Sequence, residues 1–111
     1  MMQALLKNIK MLKNSADLVY NTKDYTSATI LYFKLLFAVL DYIILIKEGK
    51  TPKDHTERFK ILKEKFNSFY VILDKDFSIY RNTYTLNIDK KDCDRIKNDT
   101  KRIIKEQGIN V

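Results

Sequence analysis

Residues 30–46 read ILYFKLLFAVLDYIILI. The run is apolar nearly all round rather than at alternate positions, and it is longer than an ordinary strand, so it reads as a helix. Its 17 residues are marginal for a membrane span, and Lys34 and Asp41 interrupt it. These two lie seven residues apart, two helical turns, and so share a face. Ser27 and Glu48 continue the same spacing. A narrow polar stripe on an otherwise apolar helix predicts the buried central helix of a soluble bundle. The expected span is Tyr25 to Lys47, with Gly49 as a left-handed C-cap.

Working outward, Leu5, Leu6, Ile9, Leu12, Ala16, Val19 and Tyr20 fall on one face of a first helix, Met2 to Asn21. Lys7, Lys10 and Lys13 lie on its other face. Thr22-Lys23-Asp24 breaks it, and Asp24 or Thr22 caps the central helix. After Gly49, a third helix is expected with Thr51 as N-cap, Pro52 at the first position and Asp54 completing a capping box. Phe59, Leu62, Phe66 and Phe69 form its stripe, with Ile61 on the flank. A shorter fourth helix is expected over Asp74 to Thr83, with Leu73, Phe77, Tyr80 and Tyr84 on one face. Thr85 to Ile88 reads as a connection. Asp89 caps a last helix, Lys90 to Gln107, which Gly108 ends. Cys93, Ile96, Thr100, Ile103 and Ile104 face inward there. Lys90, Lys97, Lys101 and Lys105 form an outer basic ridge, flanked by Arg95 and Arg102.

Composition agrees. Two Gly and one Pro in 111 residues are too few for many hairpin turns. The expected architecture is one all-α domain over residues 1–111, an antiparallel up-down bundle of four or five helices. One Cys and one His exclude an ordinary Cys/His zinc site and an intrachain disulfide. Neither a metal nor a cofactor is expected. The N-terminus has no apolar run of signal-peptide length, so a cytoplasmic protein without membrane attachment is expected. The net charge is +7, of which residues 90–111 carry +3. A basic surface favours acidic partners such as nucleic acid. Interspersed acids fit a plain Lys-rich solvated surface equally well.

The order of segments carries a further signal: DYTSATILYFKLLFAVLDYIIL (24–45), TPKDH (51–55) opening a helix with Phe59 and Phe66, IYRNTY (79–84) and DKKDC (89–93). It resembles the HEPN family of small prokaryotic helical bundles, over nearly the whole chain. Tyr25, Ala28, Tyr32 and Phe33 resemble the family's aromatic pattern on the central helix. His55 falls on the His of its Lys-Thr-His type helix start, and Arg81 and Tyr84 on its Arg and Tyr. The resemblance implies a homodimer formed across the central helices, with Tyr32, Lys34 and Asp41 at or near the interface. It also implies a minimal nucleotidyltransferase as partner in a toxin–antitoxin pair. Catalytic members are metal-independent endoribonucleases marked by an Arg, four to six residues, then a His. Here Arg81-Asn82 is followed by Thr83, Tyr84, Thr85, Leu86, Asn87 and Ile88, with no His.

That gap has a chemical meaning. Cleavage through the RNA 2′-hydroxyl needs a proton acceptor, a proton donor and a cation at the phosphate. Arg81 suits the phosphate through its permanently charged fork. The candidates for the proton steps are Tyr84, a poor base, and His55, the single imidazole. His55 approaches Arg81 only if the third helix starts near the fourth, or across a dimer interface. A binding module is therefore expected, with Arg81, Asn82, Tyr84, Lys97 and Lys101 as contacts to RNA or a nucleotide. The alternatives are an endoribonuclease toxin using Arg81 with Tyr84 and His55, and a purely structural dimer. Each residue has a plainer role beside these. Arg81 could pair with Asp76, Asp41 or another acid, Asn82 could cap its helix, Tyr84 could pack in the core, and Lys34 and Asp41 could pair between subunits or line a solvated stripe.

Overall fold

The computed structural model describes residues 2–111. Five helices follow in order: α1 (Met2–Asn21), α2 (Tyr25–Glu48), α3 (His55–Lys65), α4 (Asn67–Asn82) and α5 (Lys90–Glu106). Among the described residues there is no strand, so the protein is an all-α helical bundle. α2 is the hub. It packs most extensively against α1 and α5 and also against α4, while α3 packs chiefly on α4.

The caps explain the ends of α2. The Asp24 carboxylate accepts the Ser27 N–H at 3.0 Å, satisfying a donor that the first turn leaves without a partner. At the other end Gly49 takes φ 80° and its N–H closes on the Leu45 carbonyl. Between them Tyr32, Phe33, Leu35, Leu36, Val39, Leu40 and Ile44 are fully buried. Full burial of each such side chain contributes roughly 1.5–3 kcal/mol. By length and composition α2 could cross a membrane, yet more than half of its apolar window is buried inside the bundle. The neighbouring helices cover most of the apolar circumference of α2, leaving Ile46 as its one exposed large apolar residue.

α1 and α5 fall where the apolar periodicity puts them. Ile9 and Ala16 of α1 are buried, as are Cys93, Ile96, Thr100, Ile103 and Ile104 of α5. The Asp89 carboxylate caps α5 by accepting the Asp92 N–H at 2.9 Å.

Three expectations are corrected. First, α3 begins at His55, not Pro52. Asp54 is extended (φ −158°) and accepts the Glu57 N–H at 2.8 Å, so it, not Thr51, is the N-cap. Pro52 is buried in the preceding loop instead of opening the helix. Second, the boundary between the third and fourth helices lies at Phe66, whose φ −137° and ψ 57° leave the helical region. α3 is therefore short and α4 long, and Phe69 belongs to α4. With the chain redirected there, Leu62 of α3 and Leu73 of α4 are both fully buried. Third, the basic ridge of α5 faces solvent but is not free of partners. The Lys97 ammonium sits 3.8 Å from the Tyr20 ring centroid, and Lys101 pairs with Asp17 at 2.8 Å. Lys90 pairs with Asp94 at 2.9 Å. These lysines stitch α5 to α1 and to itself, and only Lys105 of the four lacks such a partner among the described residues.

Candidate functional site

α3 starts beside the end of α4. His55 is the first residue of α3, Arg81 is in the last turn of α4, and Tyr84 follows in the turn after it. All three line one cleft of about 240 Å³. Its remaining walls are aromatic: Phe37 from α2, Phe59 from α3, and Phe77 and Tyr80 from α4. The condition for bringing the imidazole near Arg81 is thus met within a single chain.

The aromatic wall is rooted in the core. Tyr80 stacks on the buried Phe33 with centroids 4.5 Å apart and planes 11° off parallel. Phe77 meets Phe59 edge-on at 5.7 Å. Tyr84 is 75% exposed and does not belong to the core, which corrects the packing expected from its place after Phe77 and Tyr80. Its ring stands edge-on to Tyr80 at 6.0 Å, and the two hydroxyls are 3.5 Å apart. That contact first, and burial second, raise the Tyr80 hydroxyl above its ordinary value, so Tyr80 enters the cleft as a protonated phenol.

Arg81 is exposed and makes no ion pair among the described residues. Neither acid considered for it is available. Asp41 pairs with Arg58, and Asp76 lies 3.2 Å from Arg95. Its guanidinium carbon lies 6.0 Å from the Phe77 ring centroid, over an apolar wall rather than beside a counter-charge. Asn82 does not line the cleft. It does not cap α4 through its side chain either. The Thr83 hydroxyl donates to the Tyr80 carbonyl at 2.6 Å, and the Asn82 carbonyl accepts the Leu86 N–H at 2.9 Å.

His55 has a partner that sequence reasoning missed. The Arg58 Nη1 is 2.6 Å from His55 Nδ1. The same guanidinium binds Asp41 twice, Nε to Oδ1 at 2.6 Å and Nη2 to Oδ2 at 2.8 Å. It also lies 4.4 Å from the centroid of Phe37, on which the imidazole leans at 4.8 Å. The signal was present, because residues three apart on a helix share a face, and His55 and Arg58 are so spaced. Asp41 is thereby tied within its own chain. Tyr32 is fully buried, with its hydroxyl donating to Asp17 at 2.5 Å, so its side chain offers nothing to a partner's surface. Lys34 is exposed.

Lys97 and Lys101 lie outside the cleft and are engaged with α1. A wider groove of about 510 Å³ runs along α3. Its rim carries lysines and acids in mixture, including the paired Lys65 and Glu48, with Ile61 as its one apolar residue. The smaller cleft has the stronger chemistry, since it joins flat apolar walls to an uncompensated cation. Among the described residues no group of His, Cys, Asp and Glu is arranged to hold a metal ion. Cys93 is buried in the core, where burial above all raises its thiol above the ordinary value.

Comparison with protein-family models, curated proteins and solved structures found no match to this chain.

Proposed function

We propose that this protein is a cytoplasmic binding module whose cleft takes one nucleotide unit of an RNA. The base lies against the aromatic wall at Tyr80 and Tyr84, and its phosphate meets Arg81. One observation carries this reading: an unpaired guanidinium stands at the rim of a cleft otherwise lined by aromatic rings. Every base has a π-face, and stacking on an aromatic side chain contributes roughly 1–3 kcal/mol per base. The charged fork of Arg suits a phosphate. At about 240 Å³ the cleft suits a single unit, with the rest of a strand outside. The resemblance to HEPN proteins adds a homodimer and a minimal nucleotidyltransferase partner to this reading. It also keeps open a metal-independent endoribonuclease toxin, which the common placement of His55 and Arg81 favours.

The test is a titration of labelled single-stranded oligouridylate at about 50 mM and about 200 mM salt, with RNA integrity followed on gels. Binding at low salt that weakens at high salt is expected, with the RNA left intact. Arg81→Ala should weaken it about tenfold or more, the size of one charged hydrogen bond. An absence of binding at the lower salt would sink the proposal. Cleavage that disappears in Arg81→Ala would instead make the protein the endoribonuclease.

A further inference from the structure

The His55 ring is held from behind by a charged pair that does not itself line the cleft. Arg58 and Asp41 are nearly buried, with side chains 10% and 17% exposed. Three guanidinium nitrogens are committed. Nε and Nη2 bind the Asp41 carboxylate in a fork, and the Phe37 ring lies under the plane. Their rigid geometry leaves Nη1 pointing at His55 Nδ1, 2.6 Å away. Arg has five N–H donors and no acceptor, so Nδ1 must accept this bond. An imidazole accepting at Nδ1 carries its proton on Nε2.

We propose that Asp41 and Arg58 are positioning residues that hold His55 as an Nε2–H donor for the cleft. The site then offers donors from two helices, His55 on α3 and Arg81 on α4, beside the protonated Tyr80 hydroxyl. An oxygen-rich anion that only accepts, such as a nucleotide phosphate, matches this set; a ligand group that must donate does not. That part rests on the nucleotide reading. A ring that accepts at Nδ1 and donates from Nε2 has no free lone pair, so His55 cannot take the proton of a 2′-hydroxyl while the pair is intact. The same device that orients the ring takes His55 away as the base of a cleavage step, which favours binding over cleavage in this cleft.

The experiment reads the ring nitrogens of uniformly 15N-labelled protein by NMR at mildly alkaline pH, without ligand. Wild type should show a protonated, pyrrole-like Nε2 and a pyridine-like Nδ1, with no averaging between tautomers. The double variant Asp41→Asn/Arg58→Met removes the donor without stranding a charge. Its ring nitrogens should shift toward an average of the two tautomers, and its affinity for uridine monophosphate should fall about tenfold with Arg81 still in place. A wild-type ring protonated at Nδ1 would overturn the proposal, and that spectrum needs no variant to fold. Unchanged ring nitrogens in a folded double variant would overturn it too. If wild type shows the single tautomer and yet does not bind uridine monophosphate, the nucleotide reading fails and the positioning pair stands.

Discussion

Tyr32 shows how one side chain changes meaning between sequence and structure. On the central helix its place in an aromatic pattern suggested an interface. In the fold it is fully buried and its hydroxyl donates to Asp17, which also pairs with Lys101. Burial first, then the Asp17 bond, raises the phenol far above its ordinary value, so it stays a donor at any working pH. Burial opposes the charge on Asp17, but Lys101 and Tyr32 together still hold its carboxyl below the usual range. The triad joins α1, α2 and α5. Tyr32→Phe leaves Asp17 with one partner fewer in a half-buried site, at a cost of about 1.5–3 kcal/mol. Urea unfolding should show a lower midpoint with an unchanged slope. If Tyr32 served an interface instead, the variant would change the mass in light scattering and leave the unfolding midpoint of the chain in place.

At the scale of the helix, the start of α3 was the least legible feature. The segment TPKDH holds two cap candidates three residues apart, and both are good ones. Local rules favour Thr51-Pro52, but burial of Pro52 in the loop gives the position to Asp54. Asp54→Ala should cost about 1 kcal/mol in chemical denaturation, whereas Thr51→Ala should cost a few tenths at most. The reverse order would return the helix start to Pro52. The break at Phe66 was equally hidden, since neither Gly nor Pro marks it. Asn67 and Ser68, which compete with helical backbone bonds, were the only trace. The consequence reaches the cleft: the longer α4 carries Arg81 in its last turn with Tyr84 in the turn that follows, and His55 stands at the start of α3 to meet them.

For the whole molecule, the junction of α4 and α5 is sensitive to pH. Asp76 of α4 is fully buried, and neither carboxyl oxygen finds a hydrogen-bond partner among the described residues. Arg95 lies 3.2 Å from Oδ1 but makes no hydrogen bond to it, and the Asp99 carboxyl acts on Asp76 as a second acid. Burial above all, with Asp99 next, pushes the Asp76 carboxyl up to about 7. A carboxyl whose folded value lies above its unfolded one binds more protons in the folded state. Its contribution to stability is fully present below about pH 4 and is lost as pH rises through 7. The melting temperature should therefore fall between about pH 5 and about pH 8. Asp76→Asn should flatten that slope and exceed wild type at the alkaline end by about 1–3 kcal/mol. An unchanged slope in the variant would assign the effect to another group.

The sequence by itself determined the helical class, the identity of the central helix, the span of α1, and the inward face of α5. These follow from local periodicity and capping, in which each residue acts with neighbours three or four positions away. Resemblance also named His55, Arg81 and Tyr84, and left their approach conditional on where the third helix starts. Their convergence on one cleft was a tertiary result, because it depends on where α3 and α4 turn, and that turn is set by the burial of Pro52, Leu62 and Leu73. The same holds for charge. A lysine row at helical spacing looks like an open basic ridge until Asp17, Asp94 and the Tyr20 ring meet it from other turns and helices. Arg81 keeps an unpaired charge for a complementary reason: Asp41 and Asp76, its two named candidate partners, lie against Arg58 and Arg95 instead.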